Sequence, residues 1–114
     1  LLMGKVERLA KKLKNFLATD ENVLYVADTS PFKDAIYPPQ LIVTTQRLIF
    51  RIPKAIGQQL EDFPYKSIVN IQIDEGLMFS SIIIKTPGDE RRVEGLSKKE
   101  AQEVMKYARE AQQG

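Results

Sequence analysis

Apolar residues recur at steps of three and four at both ends of this chain and at steps of two between them. At the N-terminal end Leu2, Val6, Leu9, Leu13, Phe16 and Leu17 fall on one stripe, the period of an amphipathic helix over residues 4–17. Thr19-Asp20-Glu21-Asn22 ends that pattern with turn-forming polar residues. From Val23 to Val93 the period is that of strands, predicted over residues 22–27, 41–44, 47–52, 59–63, 67–74, 78–85 and 90–94. Residues 28–39 read as a loop or irregular edge, because Pro31, Pro38 and Pro39 have no amide to give to a ladder.

The faces follow from the alternation. Leu48, Phe50 and Ile52 point one way, Arg47, Ile49 and Arg51 the other. Val69, Ile71 and Ile73 alternate with Asn70, Gln72 and Asp74, and the run Ile82-Ile83-Ile84 is too apolar to face water on both sides. Thr86-Pro87-Gly88-Asp89 is a tight turn, with proline presetting its second position and glycine free to take the positive φ of its third. Ser97-Lys98-Lys99-Glu100 reads as a capping box that opens a last helix running to about Gln112. Leu48, Phe50, Val69, Ile71, Ile73, Ile82, Ile84, Val104 and Met105 are expected to share one core. The order is helix, six or seven antiparallel strands, helix: a mainly β protein, α+β by count.

At 114 residues this is one domain, able to bury a core without staples. No apolar run approaches a bilayer span. The absence of cysteine fits a reducing cytosol, so the expected location is cytoplasmic, with association to a membrane surface as the second reading. Charge is divided unevenly. Residues 1–17 carry Lys5, Arg8, Lys11, Lys12 and Lys14 against Glu7, a net of +4, whereas the remainder is net −2. Attraction to an acidic partner therefore belongs to the N-terminal end.

Chemistry is sparse. Without histidine or cysteine the usual general base, nucleophile and metal ligands are missing. Asp74-Glu75 and Asp89-Glu90 sit at hairpin ends as turn residues, and Gly76, Gly88 and Gly95 are isolated rather than grouped into a phosphate cradle. No catalytic residue, metal site or cofactor is expected.

Three segments carry a resemblance. Leu41-Ile42-Val43-Thr44-Thr45-Gln46-Arg47-Leu48-Ile49-Phe50 resembles the "LxVTNxRLIF" hairpin of YokE-like bacterial pleckstrin-homology (PH) domains, itself similar to that of GRAM domains. Phe63-Pro64-Tyr65-Lys66-Ser67-Ile68 is similar to the family's "IPYxxI" segment, and residues 93–101 to its junction of last strand and closing helix. The blocks fall in the family's order over about residues 20–112, with Gln46 where the family often has lysine. The resemblance implies a strongly bent antiparallel barrel or sandwich capped by the C-terminal helix, over residues 19–114, with residues 1–18 as an added basic helix. It implies no enzyme activity, and it leaves the ligand to be argued from the residues.

In lipid-binding PH domains basic residues of the first two hairpin regions surround the headgroup. Here that region offers Lys33 beside Asp28 and Asp34, with Arg51 and Lys54 from the next loop, a weak phosphate pocket. Arg47, at the start of a hairpin strand, reads as snorkelling over the sheet edge or pairing with a cross-strand acid. The basic helix is the stronger candidate. Lys5, Arg8, Lys11, Lys12 and Lys14 suit an acidic partner or anionic lipid, unless the apolar stripe packs on the barrel or on a second copy and leaves the cations as a solvated face. No nucleic-acid partner is expected, since no aromatics interleave with the cations. The function expected is a non-catalytic module for protein contacts or self-assembly; the alternative is a peripheral membrane module working through the basic helix.

Overall fold

The computed structural model describes residues 4–29 and 37–114. Leu2 and Lys33 lie outside the described residues. Helix α1 (Lys5–Lys12) is followed by strands β1 (Val23–Asp28), β2 (Gln40–Thr44), β3 (Arg47–Pro53) and β4 (Gln58–Pro64), which pair in that order as one antiparallel sheet. A short 3-10 turn (Tyr65–Ser67) leads to β5 (Asn70–Glu75), β6 (Ser80–Thr86) and β7 (Asp89–Leu96), the second antiparallel sheet. Helix α2 (Lys98–Gln113) closes the described chain and packs on β1, β2, β5 and β6.

The sheets face each other across a core of Leu41, Val43, Leu48, Phe50, Ile82 and Ile84, into which α2 inserts Ala101, Val104 and Ala108. Expected core residues Ile71, Ile73 and Met105 pack against it half-buried. Val69 does not: it is 69% exposed. Strand β5 starts three residues later than the alternation predicts, because Tyr65–Ser67 turns the corner and Ile68 takes the core position there.

The first sheet is covered on both sides. Ile42 and Ile49, on the face away from β6, are fully buried beneath Leu9 and Leu13, with Val6 and Phe16 beside them. The predicted stripe therefore docks on its own barrel, which explains why residues 41–43 are apolar on both faces instead of alternating. Regular α1 ends at Lys12, short of the predicted residue 17, and Leu13 to Leu17 continue as turns that still bury the stripe.

Arg47 pairs across the sheet as its position suggests, reaching Asp62 at 3.3 Å. Its main partner, though, is the buried Glu21, and its guanidinium lies 4.5 Å over the Phe16 ring. On the second sheet Arg92 of β7 reaches across β6 to Asp74 of β5 at 2.5 Å. Arg91 binds Glu61 at 2.6 Å and covers the Phe50 ring, joining β7 to the first sheet.

Candidate functional site

The register brings one row of polar residues together on the outer face of the first sheet. Asp28 stands opposite Gln40, and Gln40 opposite Arg51. Arg51 Nη1 donates to Gln40 Oε1 at 2.7 Å, and Gln40 Nε2 donates to Asp28 Oδ1 at 2.8 Å. Lys5 of α1 completes the row, 2.7 Å from Asp28 Oδ2. Arg51 Nε donates to Gln58 Oε1 of β4 at 2.5 Å. A chain of contacts thus runs from helix to fourth strand.

Between this row and α1 lies a hollow of about 230 Å³, lined by Lys5, Arg8, Lys12, Asp28, Gln40 and Arg51. Lys5, Arg8 and Lys12 have the spacing i, i+3, i+7 that aligns side chains along a helix. Four of the cations singled out in the sequence meet here. Lys11 and Lys14 line no part of it, and exposed Lys54 sits on the β3–β4 turn. Arg51 is 9% exposed, and burial lowers its pKa from the ordinary arginine value. Its partners are neutral amides. No local pattern points to Gln40 and Gln58, because their roles come from register.

A second feature lies where no charge pattern pointed. Strand β5 is an edge strand. Beside it runs a groove of about 520 Å³. Its β5 wall is Asn70, Ile71, Gln72 and Ile73 in succession. Consecutive strand residues face opposite sides, so a hollow touched by four in a row follows the strand's free edge. The other wall is Gln102, Met105, Lys106 and Arg109, an i, i+3, i+4, i+7 stripe of α2. Among the described residues neither Lys106 nor Arg109 has a carboxylate partner; Lys106 lies 5.4 Å from the Tyr107 ring. The exposed Val69 leads into this edge.

Among the described residues no cluster of three or more His, Cys, Asp or Glu is arranged to hold a metal ion. No described helix is long and apolar enough to cross a membrane.

A family profile described as Bacterial PH domain matches residues 17–110. Among solved structures, the chain is similar to a DUF1696 family protein with a pleckstrin-homology domain from Shewanella loihica (TM-score 0.65, 15% identity, 93% of this chain and 99% of that one). It is also similar to a pleckstrin homology domain from Shewanella amazonensis (TM-score 0.67, 18% identity, 95% of this chain and 91% of that one). These likenesses are of fold. Among curated proteins none matches the chain significantly. Helix α1 precedes the matched residues, so the hollow beneath it combines an element outside the family match with strands inside it.

Proposed function

This chain belongs to the bacterial PH domain family, and from that premise we propose that it is a non-catalytic interaction module that takes up an extended, acid-bearing segment of a partner protein along β5. The observation that carries the reading is the β5 edge, which no strand pairs among the described residues, facing across an open groove a stripe of α2 whose cations have no carboxylate partner among those residues. An edge strand presents backbone donors and acceptors to any extended chain laid beside it. The stripe from Gln102 to Arg109 is about 10 Å long, room for three or four residues of an extended segment. Ile71, Ile73 and Met105 offer apolar contact, and Lys106 and Arg109 select for carboxylates. The N-terminal helix supplies no motive for self-assembly, since its apolar stripe is already buried at home.

The test is an arrayed peptide library of alternating apolar and acidic residues, followed by amide-shift mapping of the hits. Binding is expected to shift residues 70–73 and 102–109 and to fall about tenfold with Lys106→Glu plus Arg109→Glu. Hits that shift other surfaces, or no hits, would sink the reading. Sedimentation across a concentration series separates a foreign partner from a second copy: concentration-dependent association lost with the same two substitutions would make the occupant another copy of this chain.

A further inference from the structure

Resting on the reading of the β5 groove given above, we infer that the segment it takes up is the carboxyl-terminal tail of a partner protein, laid antiparallel to β5 with its terminal carboxylate held by Lys106 and Arg109.

The direction of the groove comes first. Glu75, the last residue of β5, stands opposite Ser80, and Ser80 stands opposite Leu96. Helix α2 begins at Lys98, behind its Ser97 cap. It therefore sets out from the end at which β5 finishes. Arg109 lies about 16 Å along the helix from Lys98, and Asn70 about 17 Å back along the strand from Glu75. The two are level, as are Gln102 and Ile73 nearer the start of the helix, and these four residues bound the groove.

Charge is divided along that direction. Toward the Asn70 end the helix wall carries Lys106 and Arg109, neither with a carboxylate partner among the described residues. At the other end β5 carries Asp74 and Glu75. Asp74 is held by Arg92, whereas Glu75 is exposed and has no side-chain partner among the described residues. A tail laid parallel to β5 would bring its carboxylate to these acids. An antiparallel tail brings it to two cations, and antiparallel pairing is also the more stable per residue.

The edge itself runs out beside the cations. Ahead of Asn70, Ile68 packs against the core, and the Val69 amide is already bonded to the Lys85 carbonyl at 2.7 Å. The Tyr65–Ser67 turn then joins the chain to β4 of the first sheet. An antiparallel occupant has no strand edge to follow past Asn70, so a chain end fits there, where charge-assisted donors meet its carboxylate. Spacing fixes one more position. Met105 and Arg109 are separated by about 6 Å along the helix, close to the span of two strand residues. An apolar side chain two places before the last residue is thus level with Met105 when the carboxylate is level with Arg109.

Three acetylated peptides test this by amide-shift titration of the labelled protein. The first is Lys-Val-Thr-Val-Thr-Val as the free acid, and the second is its C-terminal amide. The third, also an amide, is Lys-Val-Thr-Val-Thr-Glu-Thr-Val, with its carboxylate inside the segment. The free acid is expected to shift residues 70–73 and 102–109, and amidation to weaken it about tenfold or more. Arg109→Gln, at an exposed position, should bring the free acid close to the level of its amide. A nitroxide at the N-terminus of the free acid should broaden the Glu75 amide and spare that of Asn70. Equal binding of free acid and amide would overturn the terminal carboxylate, and broadening at Asn70 would overturn the direction. Groove binding by the internal glutamate peptide as tight as that of the free acid would also overturn the tail, while the β5 reading stands. Shifts at residues 70–73 from none of the three would remove the β5 reading itself.

Discussion

Arg47 holds Glu21 with two parallel bonds, Nε to Oε2 at 2.7 Å and Nη2 to Oε1 at 2.6 Å, and the same Nη2 donates to the Phe16 carbonyl at 3.0 Å. One β3 side chain thereby fixes the segment that joins α1 to β1. Thr44 Oγ1 and the Ala18 amide also donate to the Glu21 carboxylate. Such a pair is worth keeping intact more than it is worth having, because losing one partner leaves a buried charge alone.

Burial by itself would raise the Glu21 pKa, but the bonds from Arg47, Thr44 and Ala18 prevail and hold it at about 2, against an ordinary 4.5. A carboxyl whose folded pKa lies below its unfolded one contributes stability above the unfolded value and loses it as pH falls toward the folded one. Glu21 is thus expected to contribute about 3 kcal/mol near neutrality, lost between roughly pH 4.5 and 2. Urea melts across that range should show a steeper acid loss for the native protein than for Glu21→Gln. Parallel curves would mean the carboxylate is not held as described.

The docking of α1 is tested by charge. Leu9 and Leu13 are almost wholly buried against Val26, Ile42 and Ile49. Leu13→Ala should cost about 3 kcal/mol, and Leu9→Asp with Leu13→Asp more, releasing the helix. Lys11→Glu with Lys14→Glu changes only exposed positions and should stay within about 0.5 kcal/mol. Unfolding melts measure both. A double aspartate variant as stable as the native chain would mean that α1 does not cover the sheet in solution.

Most of the architecture was legible because the chain changes hydrophobic period where it changes element. The helical stripes, the two tight hairpins and the serine cap are local signals that the structure keeps. Val69 was misplaced because a short 3-10 turn shifts the alternation, and Pro64-Tyr65 does not announce how many residues that turn consumes. The site was legible only in part. The spacing of Lys5, Arg8 and Lys12 puts them on one stripe, but nothing local tells that Arg51 rises beneath them, since that depends on which face α1 covers. Leu41-Ile42-Val43 was the available clue: a strand apolar on both faces needs a second cover, and α1 was the apolar element left to supply it. The β5 groove had no sequence signal, because a free strand edge is a property of pairing.

The turn between β6 and β7 carries a purely backbone prediction. Gly88 has φ +78, and a Cβ there would meet nothing within 4 Å. Gly88→Ala therefore costs only the left-handed conformation, about 1 kcal/mol. Gly88→Asn should cost less, since asparagine tolerates that region. Thermal melts that rank alanine above asparagine would refute the turn geometry.

The last prediction concerns Glu100, which departs from the capping box its sequence suggests. Ser97 does cap α2, its Oγ accepting from the Glu100 amide at 3.0 Å. The Glu100 carboxylate takes a bond from Ser97 Oγ at 3.3 Å, and its other oxygen leaves the helix to accept from the Asp28 amide of β1 at 2.9 Å. Helix α2 is thus tied to the first sheet at its N-terminus by a charge-assisted bond, and at Tyr107 by stacking on Tyr25 with centroids 5.5 Å apart. Ser97→Ala removes a local cap and should cost about 1 kcal/mol. Glu100→Ala removes a tertiary bond to a backbone donor and should cost about 1.5–3 kcal/mol. Glu100→Gln keeps an acceptor oxygen at the same reach, so it should recover much of that loss. A reciprocal capping box predicts otherwise, with Ser97→Ala and Glu100→Ala alike in cost and β1 unaffected. Hydrogen exchange at the Asp28 amide separates the two: Glu100→Ala should speed it, whereas Ser97→Ala should leave it slow. Exchange at Asp28 unchanged by Glu100→Ala would show that the carboxylate serves its own helix and not the strand.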